Sequence, residues 1–246
     1  MRSSKKDLQN SKKKTPAKKK TQEQMIFGRK KSKAAEPKPI LDSATSDELF
    51  IVDQVRKIQV ERLRQTYDDF FQNPEFTKIS KYFFEQIYGA GDKASRDAAF
   101  NKIYEKLSAA VNPKRIQRVT QLKQLNELTD ELDLAVAREF MKMKKKSAMT
   151  LKDFETCYKA LNNKPERELQ LQLLMETTRF FHKLAHVPLL GFVIKPTQLA
   201  AKMLGVEYIM EFFMEGYRSF KSVKDAEPFM VAIEERERAY LNKLLP

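Results

Sequence analysis

Glycine, histidine and cysteine are scarce in this chain. Its 246 residues include 6 glycines, 2 histidines and one cysteine. With no Asn-Gly turn and no sustained alternation of apolar and polar residues, the sequence disfavours a β-sheet fold. The single cysteine, Cys157, excludes a disulfide framework within the chain and is typical of a reducing compartment. We therefore expect a cytoplasmic protein.

Long apolar runs are also missing. The longest, VPLLGFVI at 187–194, is far shorter than the roughly 20 residues that a transmembrane helix needs. No apolar segment follows the N-terminal lysines, so a signal peptide is not expected either.

The positive charge is concentrated at the N-terminus. Residues 1–40 contain 14 basic and 3 acidic residues, a net charge of +11, whereas the whole chain carries +14. The rest of the chain is therefore nearly neutral. Residues 1–45 are predicted to be a disordered basic arm and linker, because so few apolar groups cannot offset the entropy of ordering them.

Such an arm can attract a polyanion, either nucleic acid or anionic lipid, or can serve only to keep the protein in solution. The residues predicted to contact a polyanion are Lys12, Lys13, Lys14, Lys18, Lys19 and Lys20.

Apolar residues from 46 to 246 recur at helical spacing, which predicts one all-α domain of eight or nine helices. The first is expected to begin after Thr45 or Ser46 and to run to about 71, and the longest to run from 112 to about 146. Thr150 is a predicted N-cap and Pro165 a predicted first-turn residue. The other expected helices cover 76–88, 95–107, 150–161, 164–185, 196–205, 206–222 and 226–244.

Glu85 is unusual because it lies within the aromatic segment YFFEQIYG at 82–89. A carboxylate on a buried helix must be paired, protonated or close to an edge. The nearest strong cation after the turn is Arg96, so we expect Glu85 and Arg96 to pair and fix two helices. Removing one partner of a buried pair costs about 3–5 kcal/mol.

The two histidines, His182 and His186, lie four residues apart on one predicted helix, a spacing that can share a metal ion. The alternative is a pair of histidines near a helix C-terminus, where the helix dipole favours them. Position 183 is lysine, so the HExxH zinc-protease signature is absent. Cys157 has no neighbouring base in sequence and is predicted to be a buried structural residue.

The segment YFFEQIYGAGDKASRDAAF at 82–100 resembles the bacterial FFLEELY-motif proteins, a group of uncharacterised helical proteins. Gln86 and Ile87 depart from that motif. The segment at 195–237 is similar to the same group. The matching positions are Phe83, Phe84, Glu85, Tyr88, Gly89, Arg96 and Asp97 in the first segment, and Gly205, Phe213, Glu215, Gly216, Phe220, Arg236 and Glu237 among others in the second. The resemblance implies an all-α fold and no established reaction, and it does not extend to the histidines or the lysine arm.

These patterns support three hypotheses about function. The leading one is a non-enzymatic helical interaction or regulatory protein with an unidentified protein partner, whose basic arm has weak affinity for polyanions. The second is a ligand- or metal-binding helical domain, with or without catalysis. The third is a nucleic-acid-associated protein that acts through the arm. No cofactor is predicted.

Overall fold

A computed structural model describes residues 40–87, 101, 113–188 and 207–246. Within these ranges the chain forms helices and no strand, which confirms the predicted all-α class. A 3₁₀ turn at Ile40–Ser43 comes first, and a π-helix at Lys81–Ile87 follows the third α-helix. The α-helices are α1 Ser46–Thr66, α2 Asp68–Gln72, α3 Thr77–Ser80, α4 Pro113–Lys142, α5 Leu151–Leu161, α6 Lys164–Ala185, α7 Glu207–Lys221 and α8 Glu227–Leu244.

The helix starts follow the sequence closely. The Thr45 side chain accepts a hydrogen bond from the Glu48 amide, and the Glu48 carboxylate accepts one from the Thr45 amide at 2.7 Å. Thr150 and Asp153 form the same reciprocal capping box at α5. Each box satisfies two backbone N–H groups at the helix end or next to it. α6 begins with Pro165 in its first turn, as predicted.

Two helix ends and one helix type differ from the prediction, and the helices predicted at 95–107 and 196–205 lie outside the described residues except for position 101. α1 ends at Thr66 rather than at 71, because Tyr67 leaves the helical conformation at φ −117° and ψ 25°. α4 ends at Lys142 rather than at 146, since Lys144 has a positive φ of 52°. The segment after Ser80 forms a π-helix instead of continuing as an α-helix.

The long helix α4 is the central element of the described domain. It packs against α1, α5 and α6, and α6 packs in turn against α7 and α8. Buried apolar residues of these helices form the core, among them Val55, Val136 and Met175. None of the described helices combines the length and the apolar character that crossing a bilayer requires.

The aromatic segment predicted to be buried lies in the core. Tyr82, Phe83 and Phe84 are each less than a tenth exposed. The Phe84 ring stacks on Tyr67 with 4.6 Å between centroids, and Phe83 meets Phe229 edge to face at 5.7 Å. These contacts join the π-helix to the end of α1 and to α8.

Gly216 lies where the Tyr82 ring touches α7. A Cβ at position 216 would lie 2.4 Å from the Tyr82 hydroxyl oxygen and 2.6 Å from Cζ. Tyr82 therefore approaches α7 closely at this glycine, and the absence of a side chain at 216 permits it.

We predict that Gly216→Ala lowers the free energy of unfolding, measured by urea titration. Overpacking of this kind costs about 1–3 kcal/mol, which outweighs a gain of up to about 1 kcal/mol in helix propensity.

The matched control is the same substitution in a Tyr82→Leu background, where the ring is gone and only the helix-propensity gain remains. Equal losses in both backgrounds would show that contact with Tyr82 is not the reason for the glycine.

Candidate functional site

A buried ion pair joins the first long helix to the last. The Arg62 guanidinium of α1 donates two hydrogen bonds to the Glu237 carboxylate of α8, at 3.0 and 2.7 Å. The Tyr67 hydroxyl donates a third to the same carboxylate at 3.0 Å. The side chains of Arg62 and Glu237 are 10% and 19% exposed, so solvent screens the pair weakly.

The surroundings of this pair change the acidity of its members. Burial alone would lower the pKa of Arg62, but the Glu237 carboxylate outweighs it and raises that pKa. Burial raises the pKa of Tyr67, and the Glu237 charge raises it further. The Arg62 guanidinium also stacks over the Tyr240 ring, with 4.3 Å between its Cζ and the ring centroid. Tyr67 is thus held neutral as a hydrogen-bond donor.

Arg236, the neighbour of Glu237, forms hydrogen bonds to residues at and just after the C-terminal end of α1. It donates to the Thr66 carbonyl oxygen at 2.8 Å and forms two hydrogen bonds to the Asp69 carboxylate at 2.8 and 2.7 Å. The carbonyls of the last helical turn lack partners within the helix, so Arg236 replaces one bond that the break at Tyr67 removes. The hydrogen bond from Arg236 lowers the pKa of Asp69.

Residues from the segments at 82–100 and 195–237 therefore meet at Tyr67. Phe84 stacks on one side of its ring, and the Arg236 guanidinium lies 5.3 Å from the ring centroid. Glu237 accepts its hydroxyl proton in a hydrogen bond. Phe84, Arg236 and Glu237 are among the predicted site residues, whereas Tyr67 lies outside both segments and is not among them.

A cavity of about 50 Å³ lies beside the Arg62–Glu237 pair, between α1, α5, α6 and α8. Its wall combines guanidinium, amide and phenol groups with apolar side chains. The polar lining residues are Gln59, Arg62, Tyr158, Arg167, Gln170, Glu237 and Tyr240.

A second buried cluster fixes α1 on α4. Arg56 donates to Asp130 at 2.9 Å and to Asp133 at 3.4 Å, and the Gln59 amide donates to Asp133 at 3.0 Å. All four residues are less than a tenth exposed. In this cluster the buried arginine is paired directly with two carboxylates, so its charge is balanced inside the domain.

Glu85 pairs with a cation that precedes it in the chain. Its carboxylate pairs with Arg64 of α1 at 2.6 Å, and its side chain is 33% exposed. Arg64 lies 21 residues before Glu85, and the fold brings the two side chains together. Arg96 lies outside the described residues, so its pairing with Glu85 stays a prediction.

The other motif residues are partly described. Phe220 is buried against Tyr82 and Phe181, and Glu215 accepts a hydrogen bond from the Gln86 amide at 2.6 Å. Phe213 is half-buried beside Phe212. Besides Arg96, the predicted site residues that lie outside the described ranges are Tyr88, Gly89, Asp97, Gly205 and the six arm lysines, Lys12, Lys13, Lys14, Lys18, Lys19 and Lys20.

The two histidines lie side by side near the end of α6, with ring centroids 4.6 Å apart. His182 Nε2 is 3.2 Å from the Val223 carbonyl oxygen, and His186 Nδ1 is 3.0 Å from the His182 carbonyl oxygen. In the ranges that the structure covers, no three His, Cys, Asp or Glu side chains come together as a metal-binding group. The described contacts of both rings are those of histidines bonded to backbone at a helix end.

Cys157 of α5 is 1% exposed, and its sulfur lies 3.7 Å from that of Met143. Burial raises the pKa of its thiol, which disfavours the nucleophilic thiolate. The cysteine is buried, as the sequence predicts.

The fold and these contacts define an all-α domain whose first and last long helices are joined by a buried ion pair. The chain belongs to the family described as "Domain of unknown function (DUF8198)", whose model matches residues 43–246. No curated protein and no solved structure matches the chain.

We predict that Tyr67→Phe flattens the alkaline dependence of stability. An unfolded tyrosine loses its proton near pH 10, whereas folded Tyr67, with its raised pKa, keeps it. The free energy of unfolding contributed by this group is fully present below about pH 10. It falls above that pH by about 1.4 kcal/mol per pH unit.

Urea unfolding at successive pH values measures this slope. Loss of the hydrogen bond to Glu237 shifts the curve at every pH, so only the slope above pH 10 is diagnostic. An unchanged slope in the Tyr67→Phe protein would mean that Tyr67 ionises in the folded state.

Proposed function

We propose that this protein is a non-enzymatic helical interaction or regulatory protein whose basic N-terminal arm attracts polyanions. The observation that carries the proposal is the separation of charge along the chain. Residues 1–40 carry a net +11 of the total +14. A lysine-rich segment of this kind binds phosphate backbones with little sequence preference and with strong dependence on salt.

The ion pairs of the domain support the same proposal. Many of its arginines face its own carboxylates and are neutralised there. The pairs include Arg56 with Asp130 and Asp133, Arg62 with Glu237, Arg138 with Glu48, Arg179 with Glu227 and Glu234, and Arg236 with Asp69. The charge available to a partner is therefore concentrated in the arm.

Two further assignments belong to this proposal. The chain is a member of the FFLEELY-motif group, which is supported by the matches at 82–100 and 195–237 inside the family region at 43–246. The protein acts in the cytoplasm, which is supported by its single cysteine, a free and buried thiol.

A ligand-binding domain is the second candidate function, and one observation favours it. The cavity beside Glu237 is lined by the buried guanidinium of Arg167. The histidines give less support to a metal site, because their described contacts are with backbone oxygens.

The arm is tested by fluorescence anisotropy with a labelled DNA duplex at increasing NaCl. The test variant replaces Lys12, Lys13, Lys14, Lys18, Lys19 and Lys20 by glutamine in the full chain. Each phosphate contact contributes about 0.9 to the slope of log affinity against log salt. If all six lysines contact phosphate, the slope falls by about 5.

The matched control removes six exposed lysines from the domain instead, so that the total charge changes equally. Suitable positions are Lys57, Lys78, Lys81, Lys152, Lys159 and Lys224. We expect this control to bind DNA with a slope close to that of the unmodified protein. Equal loss in the two variants would show that binding depends on net charge and not on the arm.

A further inference from the structure

Arg167 is a buried cation with little compensation. It is 4% exposed, belongs to α6 and is one of the residues that line the cavity. Its hydrogen bonds, to the Gln170 side chain and to the Leu132 carbonyl oxygen, are both 3.4 Å long. Its buried Nε has no hydrogen-bond partner, and no carboxylate pairs with it within the described part of the chain.

These contacts fall short of what a buried guanidinium requires. Arginine has five N–H donors, and hydrogen bonds from nitrogen to oxygen are normally 2.7–3.2 Å long. The Tyr158 ring, 4.4 Å away, contributes a cation–π contact but no anionic charge. Because an unpaired buried charge is strongly unfavourable, an anion in the cavity would remove a deficit that the described residues leave.

The other charged groups of the wall do not supply that anion. Arg62 also faces the cavity, and its buried Nε is without a hydrogen-bond partner. Glu237 balances one guanidinium, and its carboxylate oxygens already accept hydrogen bonds from Arg62 and Tyr67. Two cations and one anion leave the wall with one net positive charge.

The size and lining of the cavity limit what can enter it. Its volume of about 50 Å³ has room for about four water molecules, or a ligand of about four to six non-hydrogen atoms. Apolar side chains, among them Leu171, Leu174 and Leu241, form the rest of the wall beside the arginines. The wall therefore suits a molecule with one charged end and one apolar end.

We propose that this cavity binds a small monocarboxylate, with the carboxylate on the guanidinium groups of Arg167 and Arg62 and a short hydrocarbon part against the leucines. Planar guanidinium groups pair well with carboxylate oxygens. One negative charge matches the net charge of the wall, whereas phosphate would bring nearly two and has no apolar part to contact Leu171 and Leu174. This inference rests on the second candidate function, the ligand-binding domain, and is independent of the role proposed for the arm.

The test uses the full chain and butyrate as the probe, with neutral butyramide and inorganic phosphate in parallel at equal ionic strength. Calorimetric titration gives the Kd, and the melting temperature is followed as a second readout. Butyrate at about ten times its Kd should raise the Tm by about 4 °C. Butyramide and phosphate should leave it unchanged.

Two substitutions locate the site. Arg167→Gln should weaken butyrate binding by about tenfold to a hundredfold, the value of a hydrogen bond to a charged group. Arg179→Gln is the matched control, because Arg179 also lies on α6 but pairs with Glu227 and Glu234 away from the cavity. It should change the Kd by less than about twofold.

Arg167→Met separates a binding role from a structural one if the glutamine variant folds poorly. Removing an unpaired buried cation should leave the Tm of the butyrate-free protein unchanged or higher, while the response to butyrate is lost. No response of the unmodified protein to butyrate would overturn the proposal, whatever the Tm of Arg167→Met. Equal responses to butyrate and butyramide would also overturn it, because the neutral amide would then bind as well as the carboxylate and the arginines would not recognise the negative charge.

Discussion

The hydrogen bonds that converge on the Glu237 carboxylate join the first long helix of the described domain, α1, to the last, α8. Arg62 and Tyr67 lie at the end of α1, and Glu237 belongs to α8. The Glu237 carboxylate thus accepts hydrogen bonds from two residues that precede it by 175 and 170 positions in the chain. Because the groups are buried, none of the three can lose its partner without leaving an unsatisfied charge or hydroxyl. Arg236, one residue before Glu237, takes the Thr66 carbonyl that the break at Tyr67 frees. The helix break, the aromatic packing of Phe84 on Tyr67 and the docking of α8 therefore depend on one another.

The same arrangement accounts for the cavity. Glu237 neutralises Arg62 and accepts three hydrogen bonds, from Arg62 and Tyr67, and none of the described hydrogen bonds joins it to the neighbouring Arg167. Elsewhere in the described domain, buried cations face acids directly, as Arg56 faces Asp130 and Asp133. The contrast separates a cluster arranged for stability from a wall with an unbalanced charge. The chain therefore has two kinds of unbalanced positive charge. One is the single buried charge beside the cavity, and the other is the net +11 of residues 1–40.

Local features of the sequence predicted the helices well, and contacts between distant residues explain what it could not predict. Thr45, Thr150 and Pro165 mark helix starts through interactions within a few residues, which a sequence displays directly. The break at Tyr67 is compensated by Arg236, 170 residues from Thr66, and helical spacing continues through it unchanged. The sequence predicts that Arg96 pairs with Glu85, whereas Arg64, which precedes Glu85 in the chain, lies 2.6 Å from it. Arg167 lies four residues before Leu171 on the buried face of α6. A cation at core spacing with no obvious acid was a feature that could have drawn attention to the cavity.

A double-mutant cycle of Arg62→Met and Glu237→Gln, with free energies of unfolding from urea titration, tests the central claim most directly. Each single variant should lose about 3–5 kcal/mol, because it strands a buried partner. The double variant should lose little more than either, which gives a coupling energy of at least about 2 kcal/mol. If the two losses instead add to within about 0.5 kcal/mol, Arg62 and Glu237 act independently, and their contact does not hold α1 to α8.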